Sequence, residues 1–141
     1  MPTYGKLLKH ANNQMTKSLD TYAKQFAVTG TQMRFIDYLN THPHCLQRDL
    51  EAEFAIQRST ATVALQRMEA RGLVTRQAAA TDARQKTITL TPKAQGLSQH
   101  VATYIDAQQA AMNAAFSEAE CAAFVKMLHY FIALNGGDTH E

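Results

Sequence analysis

Apolar residues recur at intervals of three and four along residues 4–26, which is the spacing of one face of an α-helix. Lysine and asparagine side chains fill the opposite, polar face. A helix of this length is about as long as a small domain is wide. We therefore expect part of the apolar stripe to pack against a second molecule; its members are Tyr4, Leu8, Ala11, Met15, Leu19, Tyr22 and Phe26.

Two shorter helices are predicted next. Gly30 is typical of a turn and Thr31 of an N-cap, so a helix is predicted over Gln32–Thr41. Pro43 ends this helix, because the residue before a proline is pushed out of the helical region. Apolar residues four apart predict a further short helix over Leu46–Phe54. The inward positions of the two helices are Met33, Ile36, Leu39 (or Phe35), Leu46, Leu50 and Phe54.

In the middle of the chain, the spacing of apolar residues changes from the three-to-four repeat of a helix to the alternation of a strand. A helix is predicted from about Ser59 to Arg71, and Gly72 supplies its stop. Leu73–Gln77 and Thr87–Thr91 then predict two strands, joined by a loop over about Ala78–Lys86. Two helices joined by a tight turn and followed by strand, loop and strand form the pattern of a winged helix-turn-helix.

Two long helices are predicted to complete the chain. Pro92, following Thr91 as N-cap, opens a helix to about Phe116. Ser117 and Glu120 form a capping box that starts the last helix, whose predicted inward residues are Phe124, Leu128, Phe131 and Ile132. The predicted fold is mainly α with a small β-wing: a winged helix-turn-helix over about 30–91 with flanking dimerisation helices over about 1–28 and 92–141. One copy would leave the outer stripes exposed, so we expect a homodimer.

Composition and charge narrow the possible function. Hydrophobic residues make up 45% and charged residues 18% of the chain, which is typical of a globular protein. Residues 1–93 carry an excess of basic side chains and residues 94–141 an excess of acidic ones, so one face is expected to meet a polyanion. We find no transmembrane run and no secretory signal, and expect a cytoplasmic protein in which Cys45 and Cys121 are unpaired thiols.

The helix that begins near Ser59 has the composition of a DNA-recognition helix. Short hydrogen-bonding groups at a helix N-terminus suit phosphates and base edges, glutamine can pair with adenine, and arginine can pair with guanine. The alternative is an ordinary surface helix with Ser59 as N-cap, but the two strands that follow favour DNA binding. The inward residues are Ala61, Leu65 and Met68, and the outward ones are Ser59, Thr60, Thr62, Gln66, Arg67 and Arg71.

The predicted loop carries an Asp-Ala-Arg motif at Asp82–Arg84. An arginine at a loop tip suits the narrow, negative minor groove of DNA, and a nearby aspartate can hold the guanidinium in its docking orientation. Without the two strands that flank it, the motif would indicate only a solvent-exposed ion pair, which contributes little to stability.

Three motifs, in this order and at this spacing, resemble the MarR family of bacterial transcriptional regulators over nearly the whole chain. They are M-E-A-R-G-L-V-T-R at Met68–Arg76, D-A-R at Asp82–Arg84 and L-T-P-K-A at Leu90–Ala94. The resemblance implies a homodimer whose first helix and last two helices interlock. Its two winged units would straddle a pseudo-palindromic operator in double-stranded DNA.

Carried over by position, the resemblance assigns a DNA-binding role to a small set of residues. The recognition-helix contacts fall on Ser59, Thr60, Thr62 and Arg67, and Arg58 lies close to the DNA backbone. Gln66 is added as a DNA-binding residue because of its outward position on the same helix. Arg84 is the minor-groove residue, steadied by Asp82, whereas Arg76 is a structural partner of the wing.

Several departures limit what the resemblance implies. Val63 stands where many members carry arginine, and Ala94 replaces the usual glycine. Residues 1–26 lack the cysteine of the peroxide-sensing branch, and the fifth helix has only His100 where the zinc-sensing branch has a histidine pair. We interpret His42, His44 and Cys45 as a polar helix end rather than a metal site, and expect no cofactor. Family members often bind small aromatic or anionic effectors, but no effector residue is assigned here.

No catalytic motif is present in the sequence, so we do not expect an enzyme. The expected function is that of a sequence-specific transcriptional regulator, a ligand-responsive repressor that binds its operator as a homodimer. Two alternatives remain open: a winged-helix module that binds protein, and a small-molecule-binding protein without DNA function.

Overall fold

A computed structural model describes residues 1–138 of the chain; the last three residues of the predicted 92–141 segment lie outside the described residues. None of the helices in the described part combines the length and apolar character needed to span a bilayer. In chain order the elements are α1 (Tyr4–Lys24), α2 (Gly30–Thr41), β1 (Cys45–Leu46), α3 (Gln47–Phe54), α4 (Arg58–Ala70), β2 (Val74–Ala78), β3 (Lys86–Leu90), α5 (Pro92–Ala115) and α6 (Glu118–Leu134).

The chain forms two compact units, residues 1–102 and 103–141. The first unit has an apolar core, to which α2 contributes most. The inward positions predicted for α2 are confirmed, and Phe35 and Leu39 are both buried, so neither replaces the other. Removing this much apolar surface from water is the main stabilising contribution of the unit. Its largest fully buried side chains are Phe35, Met33, Ile36, Leu39, Leu50, Leu65, Met68, Leu73, Ile88 and Val74.

A three-stranded antiparallel sheet, in the order β1-β3-β2, packs at one side of this core. β3 pairs with β2 from Val74–Leu90 to Ala78–Lys86, which confirms the two predicted strands. The predicted element order was wrong in one respect, because it placed Leu46 in a helix and contained no β1. Cys45 pairs with Ile88 and Leu46 with Thr87. A two-residue strand is too short to show an alternating pattern, and its partner lies more than forty residues away.

The predicted start of α2 was wrong by two residues. Thr29, not Thr31, is the N-cap, and it forms a capping box with Gln32. Gly30 is the first helical residue, and its N–H donates to Asp20 Oδ1 at 2.8 Å. A Cβ at Gly30 would lie 2.4 Å from that oxygen, so the glycine permits a close approach rather than a turn. The turn itself uses Ala27, which has a φ of 58°.

The helix-turn-helix consists of α3 and α4, joined by the short connection 55–57. Ala55 closes α3 in the left-handed region, with φ 50°. The predicted stop of α4 is confirmed: Arg71 is the C-cap, and Gly72 has a φ of 72°. Few residues other than glycine adopt this conformation at the end of a helix.

The second unit contains the C-terminal part of α5 and all of α6. The predicted capping box is confirmed, since Ser117 N–H donates to Glu120 Oε1 at 3.0 Å and Glu120 N–H donates to Ser117 Oγ at 3.1 Å. No α6 residue is buried in the single chain, in keeping with the expectation that one copy leaves the outer stripes exposed. Phe124 is 45% exposed and Ile132 43%, whereas Leu128 and Phe131 are half-buried. Residues 1–138 of one copy therefore leave much of that face exposed.

Candidate nucleic-acid interface

The recognition helix α4 is held by one buried face and presents the other to solvent. Ala61, Leu65 and Met68 are fully buried, as predicted from their spacing. The opposite face carries the predicted exposed residues Arg58, Ser59, Thr60, Gln66 and Arg67. Ser59 is not the N-cap, as the sequence had suggested, because Gln57 takes that position and forms no side-chain cap. The N–H groups of the first turn, which carry partial positive charge, are therefore available to an anion.

Thr62 occupies a different setting from the other predicted contact residues. Its hydroxyl accepts a hydrogen bond from Gln47 Nε2 at 2.9 Å, and Thr62 itself is half-buried. Gln47 is a buried polar residue at the start of α3, so this bond fixes one helix of the helix-turn-helix against the other. Sequence reasoning missed Gln47, since nothing in the local pattern shows which polar residue at a helix start turns inward.

Arg84 lies at the tip of the wing, the loop 79–85 between β2 and β3, and its side chain is 91% exposed. It is nevertheless oriented. Asp82 Oδ1 accepts from the Arg84 backbone N–H at 3.0 Å and from Nε at 3.2 Å, and Asp82 Oδ2 accepts from Nη2 at 3.5 Å. These bonds lower the pKa of the Asp82 carboxyl below its usual value, and the bond from the backbone N–H has the largest effect. The wing is closed by a bond from Ala79 N–H to the Gln85 carbonyl at 2.9 Å.

Arg76 connects the wing to the recognition helix. Its Nη2 donates to Glu69 Oε1 at 3.2 Å, and its side chain is only 17% exposed. The Arg76 Nε atom is buried and has no hydrogen-bond partner among residues 1–138. Arg76 thus joins β2 to α4, the structural position that the sequence predicted.

A cleft of about 840 Å³ lies beside the outward face of α4. Lys24 and Arg67 provide its cations. Its acidic residue, Asp20, is already bonded to the Gly30 N–H. Val63 is 47% exposed and adds an apolar wall. Sequence reasoning missed Lys24 and Thr31, because their approach to α4 depends on the turn between α1 and α2. The lining residues are Asp20, Lys24, Val28, Thr29, Thr31, Gln32, Ser59, Thr60, Val63, Ala64 and Arg67.

His42, His44 and Cys45 lie between the end of α2 and the start of β1 but do not converge. His42 stacks on Tyr38 with ring centroids 4.0 Å apart, and its Nδ1 lies 2.9 Å from the Tyr38 carbonyl oxygen. The Nδ1 of His44 lies 3.0 Å from Thr89 Oγ1. Within residues 1–138, no three His, Cys, Asp or Glu side chains are grouped as metal ligands.

Comparison with known proteins places this arrangement in a family. A model described as the MarR family matches residues 28–85, which include the helix-turn-helix and the wing up to Gln85. The crystal structure of the transcription regulator MarR from Oenococcus oeni PSU-1 is 44% identical, covers 93% of this chain and 99% of its own, and has a TM-score of 0.75. A search of curated proteins gives no match.

Two more distant structures share the fold. The S. aureus MepR–DNA complex is 23% identical, with coverage of 94% of this chain and 98% of its own and a TM-score of 0.84. A MarR transcriptional regulator from Methanosarcina mazei Go1 is 18% identical, with coverage of 93% and 94% and a TM-score of 0.83. The 44% identity to the Oenococcus oeni protein over nearly the full length of both chains, together with the family match, shows that this chain belongs to the MarR family of winged-helix transcription regulators.

Proposed function

We propose that this regulator binds double-stranded DNA, with α4 in the major groove and the wing in the adjacent minor groove. The observation that carries the proposal is Arg84, whose side chain is 91% exposed and yet is oriented by two guanidinium bonds to Asp82, which also accepts from the Arg84 backbone N–H. An exposed ion pair contributes little to stability, so stability does not explain this arrangement. It suits a cation that inserts into a narrow groove. The related fold of MepR has been crystallised with DNA.

The exposed face of α4 supplies the major-groove contacts in this proposal. Gln66 and Arg67 are the base readers, Ser59 and Thr60 contact base edges and phosphates near the free helix N-terminus, and Arg58 contacts the backbone. Thr62 takes a smaller part, because its hydroxyl oxygen already accepts from Gln47 and only its hydroxyl hydrogen and methyl group remain for DNA.

The cleft beside α4 extends this surface towards the sugar–phosphate backbone. When α4 enters the major groove, a strand flanking the groove must pass along the side of the helix. Lys24, Thr31 and Arg67 line that side, and the two cations can neutralise phosphates as the strand passes. Val63 also faces the cleft and is suited to contact a thymine methyl group.

The active form is proposed to be a homodimer. The exposed apolar side chains lie mainly on the outer helices, including Met15 on α1 at 51%, Met112 on α5 at 38% and Met127 on α6 at 61% exposure. Apolar patches of this kind mark protein interfaces. The segments 1–28 and 92–141 would form the dimer, and the segment 30–91 would bind DNA. Two-fold symmetry then requires a pseudo-palindromic operator with half-sites about one DNA turn apart.

We propose that the regulator is a cytoplasmic repressor that a small aromatic or anionic effector releases from its operator. The two recognition helices enter successive major grooves only when their separation matches the DNA repeat. An effector that binds more tightly to another separation shifts the population away from the DNA-binding form. Repression follows when the operator overlaps a promoter.

Selection of bound sequences from a random duplex pool tests the proposal. The expected result is a palindrome with half-site centres about 10 base pairs apart. Enrichment of a single half-site, or no enrichment, would contradict the dimeric mode of binding. The selected duplex then serves as the probe in every later binding experiment.

Salt dependence separates DNA binding from the two rival functions. Each protomer presents Lys24, Arg58, Arg67 and Arg84 on this surface. If about two per protomer contact phosphates, the slope of log affinity against log salt is roughly −3.6 or steeper. A protein-binding module predicts no duplex retention even at low salt, and so does a small-molecule-binding protein. Such a result would overturn the proposed function.

A further inference from the structure

The C-terminal end of the recognition helix is fastened to two other segments by side chains that DNA binding does not use. Arg71 was predicted to lie on the outward side of α4, and it is exposed. Its Nη1 nevertheless donates to the carbonyl of Ala27, in the turn between α1 and α2. The Arg71 carbonyl in turn accepts from Lys93 Nζ at 2.9 Å.

Thr91 makes the third connection. Its hydroxyl donates to the Gly72 carbonyl at 2.5 Å and accepts from the Ala94 N–H at 3.4 Å. One side chain therefore bonds the residue that ends α4 and also caps the first turn of α5. The Thr91 N–H adds a bond to the Leu73 carbonyl at 3.0 Å. We call the side chains of Arg71, Thr91 and Lys93 the anchor.

The chemistry of the anchor suits the end of a helix. The last carbonyl groups of a helix lack intrahelical partners and carry partial negative charge. Lys93 and Thr91 each donate to one carbonyl just beyond α4, and the Lys93 cation is attracted to the negative helix end. Arg71, itself the C-cap residue, donates outward to another segment. The bonds tie α4 to the turn that follows α1 and to the first turn of α5.

The anchor lies at the C-terminal end of α4, so a tilt of the helix about this end displaces its N-terminal end the most. The contact residues Ser59 and Thr60 lie in the first turn of α4, at the opposite end from Arg71. The 13 residues of α4 span roughly 18 Å at about 1.5 Å per residue. A tilt of about 10° at the anchored end moves the first turn by about 3 Å, which is close to the rise of about 3.4 Å per base pair.

We propose that Arg71, Thr91 and Lys93 are positioning residues that fix the orientation of the recognition helix relative to the turn after α1 and the first turn of α5. By doing so they set the half-site spacing that the dimer accepts. The inference rests on the proposed function, since spacing has meaning only for a dimer on DNA. The side chains of the anchor themselves touch no DNA.

The test compares Arg71→Met and Lys93→Met, singly and together, with the parent protein on the selected operator. Each replacement removes a donor and keeps most of the side-chain length. Lys9→Met, on the exposed surface of α1, is the matched control for the loss of one positive charge. Circular dichroism and light scattering establish that each variant folds and has the parent mass.

Two readouts identify a positioning role. On operators with the half-site spacer altered by one base pair, the double variant is expected to lose most of the spacing preference of the parent. Its affinity for the best operator falls about tenfold if α4 holds the competent orientation one-tenth of the time. The slope of affinity against salt stays unchanged, because no phosphate contact is lost. A shallower slope with intact spacing preference would show that these residues contact phosphates, and would overturn the proposal.

A measurement without DNA makes the test independent of operator choice. A spin label at position 66, in a chain with Cys45 and Cys121 replaced by alanine, reports the distance between the two recognition helices. The distance distribution is expected to broaden in Arg71→Met and to stay narrow in Lys9→Met. If the parent binds DNA and both the distances and the spacing preference are unaffected in the double variant, the anchor proposal fails alone. If the parent binds no DNA at all, the proposed function fails.

Discussion

Arg84 combines two properties that are usually separate at a protein surface, namely near-complete exposure and a defined orientation. Its neighbour Asp82 supplies the orientation through two carboxylate oxygens. Because Asp82 also bonds the Arg84 backbone N–H, the loop and the guanidinium are held by one group. The sequence predicted this pair from spacing alone, since both partners lie within three residues and need no tertiary contact.

Replacing Arg84 with alanine is expected to weaken binding to operators with A/T-rich flanks by about 10- to 100-fold, because the minor-groove cation is lost. The melting temperature should not change, since the side chain is almost fully exposed. Asp82→Asn keeps the arginine and loses the carboxylate charge, so a smaller loss is expected. Fluorescence anisotropy on flanked and unflanked duplexes measures both. Equal affinity of Arg84→Ala and the parent on all duplexes would remove Arg84 from the interface.

Asp82 also makes the wing sensitive to acid. Its folded-state pKa lies below its unfolded value, so the stabilisation it provides is complete above the unfolded value and disappears as the pH falls through the folded value. A carboxyl-carbon NMR titration should place the Asp82 midpoint below 3.8, the ordinary value. The Arg84→Ala variant should shift this midpoint upwards only in part, because the backbone N–H remains. A midpoint at or above 3.8 in the parent would contradict the bonding described for the loop.

The thiol of Cys45 is expected to react slowly with alkylating reagents. Burial, assisted by the nearby carboxylate of Asp49, raises the pKa of Cys45 to about 11. At pH 8 the reactive thiolate is then about 100-fold scarcer than in a thiol whose pKa is two units lower. Iodoacetamide should alkylate Cys45 correspondingly slowly in the folded chain, with a rate that rises up to pH 11. The urea-unfolded chain is the control, and equal rates in both states would contradict the buried setting.

At the scale of elements, helices with strong local patterns were predictable and contacts between distant segments were not. The capping box at Ser117 and the stop at Gly72 depend on a few adjacent residues, so the sequence contains them in full. β1 exists only because β3 lies beside it, and the bond from the Gly30 N–H that joins the start of α2 to Asp20 spans ten residues. Arg71 shows the same limit, because its helical spacing predicted an outward position but not the bond to the distant Ala27 carbonyl.

The junction of α1 and α2 gives a matched pair of glycine substitutions. In Gly30→Ala the new Cβ would meet Asp20 Oδ1 and lie 3.2 Å from the Asp20 backbone nitrogen. The Asp20 carboxylate must then move away from the Gly30 N–H that it binds, so the protein should be destabilised by about 1–3 kcal/mol. Gly96→Ala, inside α5 with no atom within 4 Å of the new Cβ, should stabilise it by about 0.5–1 kcal/mol through helix propensity. Urea denaturation measures both. Destabilisation of similar size at the two sites would mean that the contact between Gly30 and Asp20 is not the cause.

At the scale of the whole molecule, the sequence predicted apolar faces on the outer helices that one copy leaves exposed, but not which residues of each face stay exposed. Phe124 follows the helical period of a core residue, yet in one chain it remains 45% exposed. Periodicity reports that a face must be buried. It does not distinguish burial within the chain from burial against another copy. The proposed dimer accounts for the exposed faces of both terminal regions.

Light scattering at micromolar concentration should give about twice the 15.6 kDa chain mass. Phe124→Glu is expected to shift this mass towards that of one chain, because a buried unpaired carboxylate at an interface is strongly unfavourable. Lys126→Ala, two residues away on the same helix, is the control and should keep the parent mass. A parent protein that remains monomeric at these concentrations would refute the dimeric architecture and the symmetric operator with it.

The bare face of α6 has a further consequence for the dosage of the protein in a cell. If two chains must associate before either can bind DNA, the operator stays unoccupied at low protein concentration, whatever the affinity of the dimer for it. Below the dissociation constant of the dimer, the amount of active protein rises with the square of the amount synthesised. A small rise in expression then produces a larger rise in operator occupancy. Operator occupancy therefore depends steeply on the cellular concentration of the regulator.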